Sequence, residues 1–182
     1  KEEIAFALQH EDLAGIFGKL LENGEVPLRV THNDTKLNNI MIDLETGKGI
    51  CVVDLDTVMP GLAMNDFGDA IRFGASTALE DEKDLSKVSC DMELYEIYVK
   101  GFLESCGDKL NAREIEMLPM GAKVMTYECG IRFLTDYLEG DHYFKIDRED
   151  HNLDRCRTQF KLVADMEQKW EQMQAIVKKY QK

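Results

Sequence analysis

Residues 31–39 read THNDTKLNN, with His32, then Asp34 two positions on and Asn39 five after that; Asp54, in VVDLDT, follows Asn39 by fifteen positions. Those residue types at that spacing suit phosphoryl transfer. In a phosphotransferase catalytic loop an Asp accepts the proton of the substrate hydroxyl, an Asn holds Mg²⁺, and a later Asp takes the metal ion that bridges the phosphates. Asp34 is therefore assigned the base, on an irregular segment where a carboxylate can reach an incoming hydroxyl. Lys36 is placed to meet the transferred phosphoryl group as a point charge. His32 is assigned to orient the loop through its ring.

The elements needed to bring these groups together are legible nearby. Two short apolar runs, residues 40–44 and 50–53, flank Glu45, Thr46, Gly47, Lys48 and Gly49, which is a hairpin signal. With the turn centred near Thr46 and Gly47, residues whose numbers sum to about 93 face one another. Asn39 and Asp54 then end on opposite strands at the same open end. Mg²⁺ takes hard oxygen donors and usually only one or two from the protein, so this pair suffices. Asp56, two residues past Asp54, is expected on the same strand face, as a second metal ligand or a substrate contact. A His, Asp and Asn cluster near a turn also arises where Asx side chains merely cap backbone groups; the hairpin and the Asp54 spacing argue for chemistry over capping.

HNDTKLNN, VVDLDTVMPG, NDFGDAIR and, further on, GIRFLTDYLEGDHYFK with DHNLDRCRTQF resemble the aminoglycoside phosphotransferase and choline kinase superfamily, and within it the N-acetylhexosamine 1-kinase group. The resemblance runs from about residue 26 to the C-terminus. It implies an α+β, mainly helical fold, the C-lobe of a protein-kinase-like enzyme in which a small β-hairpin carries the catalytic and metal residues. It implies Mg²⁺- and ATP-dependent phosphorylation of the anomeric hydroxyl of GlcNAc or GalNAc, giving the sugar 1-phosphate. By motif match Asp34 is the base, Asn39 and Asp54 the metal ligands, and Arg132 and Tyr143 sugar contacts, with Trp170 a weaker carry-over. Most aminoglycoside kinases carry a second histidine where this chain has Lys36, a departure that favours the hexosamine branch. Read from spacing alone, Arg132 could instead pair with Glu128 or Asp136 on a helix surface, and Trp170 could be an ordinary core residue.

Kinases of this type cover the nucleotide with a Gly-rich loop on a β-lobe that also supplies a Lys. Residues 1–31 hold neither a Gly-rich loop nor a run of strands; residues 3–21 carry Ile4, Leu8, Phe17, Leu20 and Leu21 in helical rhythm, interrupted by Gly15 and Gly18. The chain is thus expected to be one domain, residues 1–182, equivalent to the C-terminal lobe, with the nucleotide lobe as its missing partner and little or no kinase activity alone. An exposed face is expected along residues 26–34.

Composition fits one domain: 182 residues, 44% of them apolar, can bury a core. No apolar run approaches a membrane span, and no signal peptide is expected in these residues. The five cysteines, odd in number and scattered, point to a reducing cytosol. A net charge of −13 argues against nucleic acid, which needs a basic face; an anionic nucleotide is handled locally by Mg²⁺ and a few cations such as Lys36. Beyond the hairpin the pattern predicts helices over residues 85–106, 112–138 and 150–180, ended in the first two cases by Gly107 and Gly140. Other acceptors (choline, an aminoglycoside, homoserine) fit the loop motifs equally, and a non-catalytic scaffold is the remaining alternative, disfavoured by intact Asp34, Asn39 and Asp54.

Overall fold

A computed structural model describes residues 1–181. Helices dominate: α1 (Glu2–Gln9), α2 (Ile16–Glu22), α3 (Ala63–Gly74), α4 (Met92–Cys106), α5 (Ala112–Glu116), α6 (Leu118–Glu139), α7 (His151–Gln168) and α8 (Trp170–Tyr180). Four short strands make two antiparallel pairs: β1 (Arg29–Thr31) with β4 (Met59–Gly61), and β2 (Ile40–Ile42) with β3 (Gly49–Val52).

The axis of the packing is α6, which meets α3 on one side and α7 on the other. Glycines set both approaches. A Cβ at Gly68 would collide with the carbonyl of Gly121, and one at Gly121 with the carbonyl of Met64, so α3 and α6 cross backbone to backbone. A Cβ at Gly130 would lie 2.6 Å from the Phe160 ring of α7. Phe67, Met64 and Tyr95 fill the space between α3 and α4 with no exposed surface. A half-buried ion pair ties β1 to α5: Arg29 Nη2 lies 2.6 Å from the buried Glu114 Oε2, and Glu114 also completes the capping box with Asn111 at the start of α5.

Helix positions follow the sequence reading and their boundaries do not. Residues 112–138 form two helices, because Pro119 lacks the N–H and the steric room to let α5 run on; Gly140 then ends α6 at φ 102°. Residues 150–180 also divide, at Lys169, although that stretch has no Gly or Pro. Its ammonium reaches Ser89 Oγ, the Cys90 carbonyl at 2.8 Å and Asp165 Oδ2 at 2.8 Å, so partners distant in sequence hold the break. The helix expected from residue 85 begins at Met92, where Asp91 accepts from the Glu93 and Leu94 amides. Near the N-terminus only Phe17 and Leu20 of the apolar set are buried, while Ile4, Leu8 and Leu21 are exposed.

The β2–β3 hairpin stands away from the body with every strand residue exposed. Of residues 26–34, Leu28 and Val30 are exposed, whereas Val26 and Thr31 are buried, so the expected open face is confined to part of that segment.

Candidate active site

Residues 31–39, where the sequence placed the candidate site, are held by an Asx and threonine network. Asn33 sits at φ 63°, a left-handed conformation Asn tolerates. The Asp66 carboxylate, from the first turn of α3, accepts the amide N–H of His32 at 2.7 Å and of Asn33 at 2.8 Å. Thr57 Oγ1 donates to the His32 carbonyl at 2.6 Å, and Thr35 Oγ1 to the Asp66 carbonyl at 2.6 Å. Gly61 allows this crowding, since a Cβ there would collide with the Thr31 hydroxyl. Sequence spacing alone does not mark Asp66, Thr57 or Thr35 as site residues. The motif NDFGDAIR does contain Asp66, but nothing in the spacing says that its carboxylate turns back on the loop.

His32 joins the loop to the strand that leads to Asp54. Its Nδ1 accepts the Asp34 amide at 3.3 Å, which puts the proton on Nε2, 3.2 Å from the Val53 carbonyl. The ring thus bridges the Asp34 amide and the Val53 carbonyl.

Asn39 and Asp34 are in direct contact. Asn39 Nδ2 donates to both the Asp34 carbonyl (2.9 Å) and Asp34 Oδ2 (2.8 Å), and Lys36 Nζ donates to the same Oδ2 at 2.8 Å. Two donors converge on one oxygen, and no hydrogen bond falls on Asp34 Oδ1 among the described residues. Burial raises the Asp34 carboxyl, but the hydrogen bonds from Lys36 and Asn39 and the charge of Lys36 outweigh it, so its pKa lies below the usual Asp value. The same hydrogen bond with Asp34 lifts the Lys36 ammonium above its ordinary pKa. Asp34 is thus a carboxylate and Lys36 a cation at neutral pH.

The hairpin register is Ile40↔Val52 and Met41↔Cys51, one residue from the expected pairing, with a bulge between Met41 and Ile42. The Val53 amide continues the ladder onto the Asn39 carbonyl at 2.9 Å. Asn39 and Asp54 do emerge at the same open end. Asp56, however, is not on a strand face with Asp54: β3 ends at Val52, Asp54 is left-handed at φ 62°, and Asp56 lies in the single 3₁₀ turn that follows, Leu55–Thr57. The turn still brings the two carboxyls together. A shared hydrogen bond and the charge of Asp56 raise the Asp54 pKa. With its two amide hydrogens spent on Asp34, Asn39 has Oδ1 left for a cation. Among the described residues no three His, Cys, Asp or Glu side chains converge as a metal cluster.

A cavity of about 250 Å³ opens beside this group, lined by His32, Asp34, Lys36 and Asn39 together with Ile40, Val52 and Tyr98. Arg132 and Tyr143 line a different one, of about 410 Å³. The guanidinium of Arg132 lies 5.8 Å from the Tyr143 ring and 5.4 Å from that of Phe144. Asp136 does not pair with Arg132 but accepts the amides of His142, Tyr143 and Phe144 at 2.7–2.9 Å, fixing the turn that carries Tyr143. Trp170 lines neither cavity; at the start of α8, half-buried, it has Lys123 Nζ 5.5 Å from its ring.

A mainly helical body with a short hairpin that sets a His-x-Asp loop and a following Asp at one mouth fits a kinase-like phosphotransferase C-lobe. The chain belongs to the phosphotransferase enzyme family (APH), whose model matches residues 2–96, just over half of it. The match takes in the loop, the hairpin and α3, and stops before Arg132, Tyr143 and Trp170. Membership makes the chain part of an enzyme class that moves phosphoryl groups to small-molecule acceptors, generally with ATP and Mg²⁺. No helix among the described residues is long and apolar enough to cross a membrane.

Proposed function

We propose that this chain is the acceptor-side half of a kinase that phosphorylates the anomeric hydroxyl of an N-acetylhexosamine, GlcNAc or GalNAc, with Asp34 as the base. The observation that carries the catalytic assignment is the asymmetry of the Asp34 carboxylate. Lys36 and Asn39 both hold Oδ2, which leaves Oδ1 to receive an acceptor hydroxyl and take its proton as the new P–O bond forms. Lys36 stands beside that point as a fixed positive charge for the equatorial oxygens of the phosphoryl group. Asn39 Oδ1, Asp54 and, through the 3₁₀ turn, Asp56 are the oxygens that would hold Mg²⁺. When bound, the cation neutralises charge developing on the phosphates.

The hexosamine assignment rests on the later motifs, and the Arg132–Tyr143 pairing supports it: the two residues carried over as sugar contacts share one cavity. Trp170 has no such support and is left as a packing residue. We further propose that the nucleotide phosphates are covered by polypeptide outside these residues, since none of the described strands bears a Gly-rich loop and the hairpin exposes Met41, Ile42, Ile50 and Val52. The reading is tested by ³¹P NMR with Mg·ATP and a mixture of GlcNAc and GalNAc, on the chain alone and joined to such a lobe. A phosphate signal coupled to the anomeric proton is expected for the joined protein. ATP consumption with choline, an aminoglycoside or homoserine and none with the sugars would replace the acceptor.

A further inference from the structure

Tyr98, from α4, lines the same cavity as Asp34, Lys36 and Asn39, and the catalytic assignment does not use it. The remaining walls are the loop and the hairpin, whose cross-strand pair Ile40 and Val52 supplies the apolar part. Tyr98 is the only benzene ring that lines the cavity of the base among the described residues. Helix α4 turns Tyr95, Val99 and Leu103 into the core and leaves Tyr98 37% exposed at its margin. Packing alone does not call for a phenol there. The hydroxyls of Tyr95, Tyr127 and Tyr180 donate to the Met173 carbonyl, the Ala7 carbonyl and Glu96, whereas none of the hydrogen bonds among the described residues falls on that of Tyr98.

The ring is fixed before anything binds. Phe67, fully buried, meets it edge-on, with centroids 5.6 Å apart and planes at 61°, and the Phe102 ring lies nearly parallel to it at 6.3 Å and 19°. An aromatic side chain already held by its neighbours gives up little entropy on meeting a ligand. The charges in the cavity wall cancel: Asp34 and Lys36 both line it and are paired at 2.8 Å, and His32, with its proton on Nε2 alone, is neutral. A fixed aromatic face beside a cluster of polar groups with no net charge suits a neutral ligand that has an apolar face and hydroxyls at its edge, as a cyclic polyol has. The Arg132–Tyr143 cavity shares no residue with this one. Tyr98 is therefore assigned to the end of the acceptor that bears the reacting hydroxyl, whatever part Arg132 and Tyr143 contact.

We propose that the Tyr98 ring is a specificity-determining platform, on which the C–H face of a neutral cyclic polyol lies while its hydroxyl meets Asp34. The inference rests on the reading of Asp34 as the base of a small-molecule kinase, and on N-acetylhexosamine only as the first probe. The test is titration of the chain, ¹³C-labelled at its tyrosine rings, with N-acetylglucosamine, myo-inositol and choline; the Tyr98 signal is the one absent from Tyr98→Phe. The expected result is a saturable shift of the Tyr98 ring with a neutral polyol, affinity within about twofold of wild type in Tyr98→Phe and at least about fivefold lower in Tyr98→Leu. If the leucine variant does not fold, the wild-type shift and Tyr98→Phe decide. A shift with myo-inositol and none with the amino sugar supports the platform and refutes the hexosamine reading. Binding of the amino sugar with Tyr98 unmoved and equal affinity in the leucine variant overturns the platform and leaves the hexosamine reading standing. A loss in Tyr98→Phe as large as that in Tyr98→Leu assigns the contact to the hydroxyl and overturns the ring. A shift with choline alone, or with no probe, overturns the proposal as well.

Discussion

Asp66 accepts the backbone N–H of His32 at 2.7 Å across thirty-four positions of sequence, and with the neighbouring Asn33 amide at 2.8 Å this makes α3 the anchor of the loop that carries Asp34. Replacing Asp66 with Ala strands two amides in a partly buried turn. We expect a stability loss of roughly 1–3 kcal/mol and a fall in kcat larger than any change in KM for the nucleotide. Denaturant unfolding and steady-state kinetics of the same variant check both; an unchanged kcat would detach the anchor from catalysis.

The carboxyls of Asp34 and Asp54 should titrate in opposite directions from an ordinary Asp. Asp34 is held down by Lys36 and Asn39, and Asp54 is held up by Asp56. Carboxyl ¹³C NMR should find Asp54 protonating first as pH falls. In Asp56→Asn the Asp54 pKa should drop, and added Mg²⁺ should lower it in the wild type.

Gly121 permits the crossing of α3 and α6, where a Cβ would meet the Met64 carbonyl. Backbone cannot yield as a side-chain tip can, so Gly121→Ala should cost about 1–3 kcal/mol despite the better helix propensity of Ala. Gly101, with open space around its Cβ position, is the control: Gly101→Ala should leave the thermal midpoint unchanged or raise it.

Asp165 carries an acid-sensitive share of stability. Burial raises its carboxyl, but Lys169, the Cys90 amide and Ser89 outweigh that and leave the pKa below the unfolded value of about 3.9. Its contribution is therefore complete above that value and is lost as pH falls through the lower folded pKa. Asp165→Ala should destabilise the protein by roughly 1–3 kcal/mol at pH 7, and the gap from wild type should narrow below pH 4. Thermal unfolding against pH measures it.

The hairpin, the helical positions and the loop residues were legible because each rests on local signals: alternating apolar runs around Gly47, 3.6-residue apolar spacing, and a motif compressed into nine residues. What escaped depended on distant partners. The break at Lys169 is fixed by Ser89 and Cys90, Asp56 reaches Asp54 through a left-handed turn that alternation cannot foresee, and Asp66 folds back onto a loop thirty residues earlier. The β1–β4 pair, three residues a side, is too short to leave a periodic trace.

The most direct test of the central claim is the rate of γ-phosphoryl transfer to the acceptor, followed by ³¹P NMR at saturating Mg·ATP, in wild type and Asp34→Asn of the chain joined to a nucleotide-binding lobe. Asparagine keeps the size and, with its carbonyl oxygen turned to Lys36 and Asn39, the contacts of Oδ2, but presents an amide that cannot take a proton, so a loss in kcat of about 10²–10⁴-fold with folding intact is predicted. A rate within a fewfold of wild type would contradict Asp34 as the base.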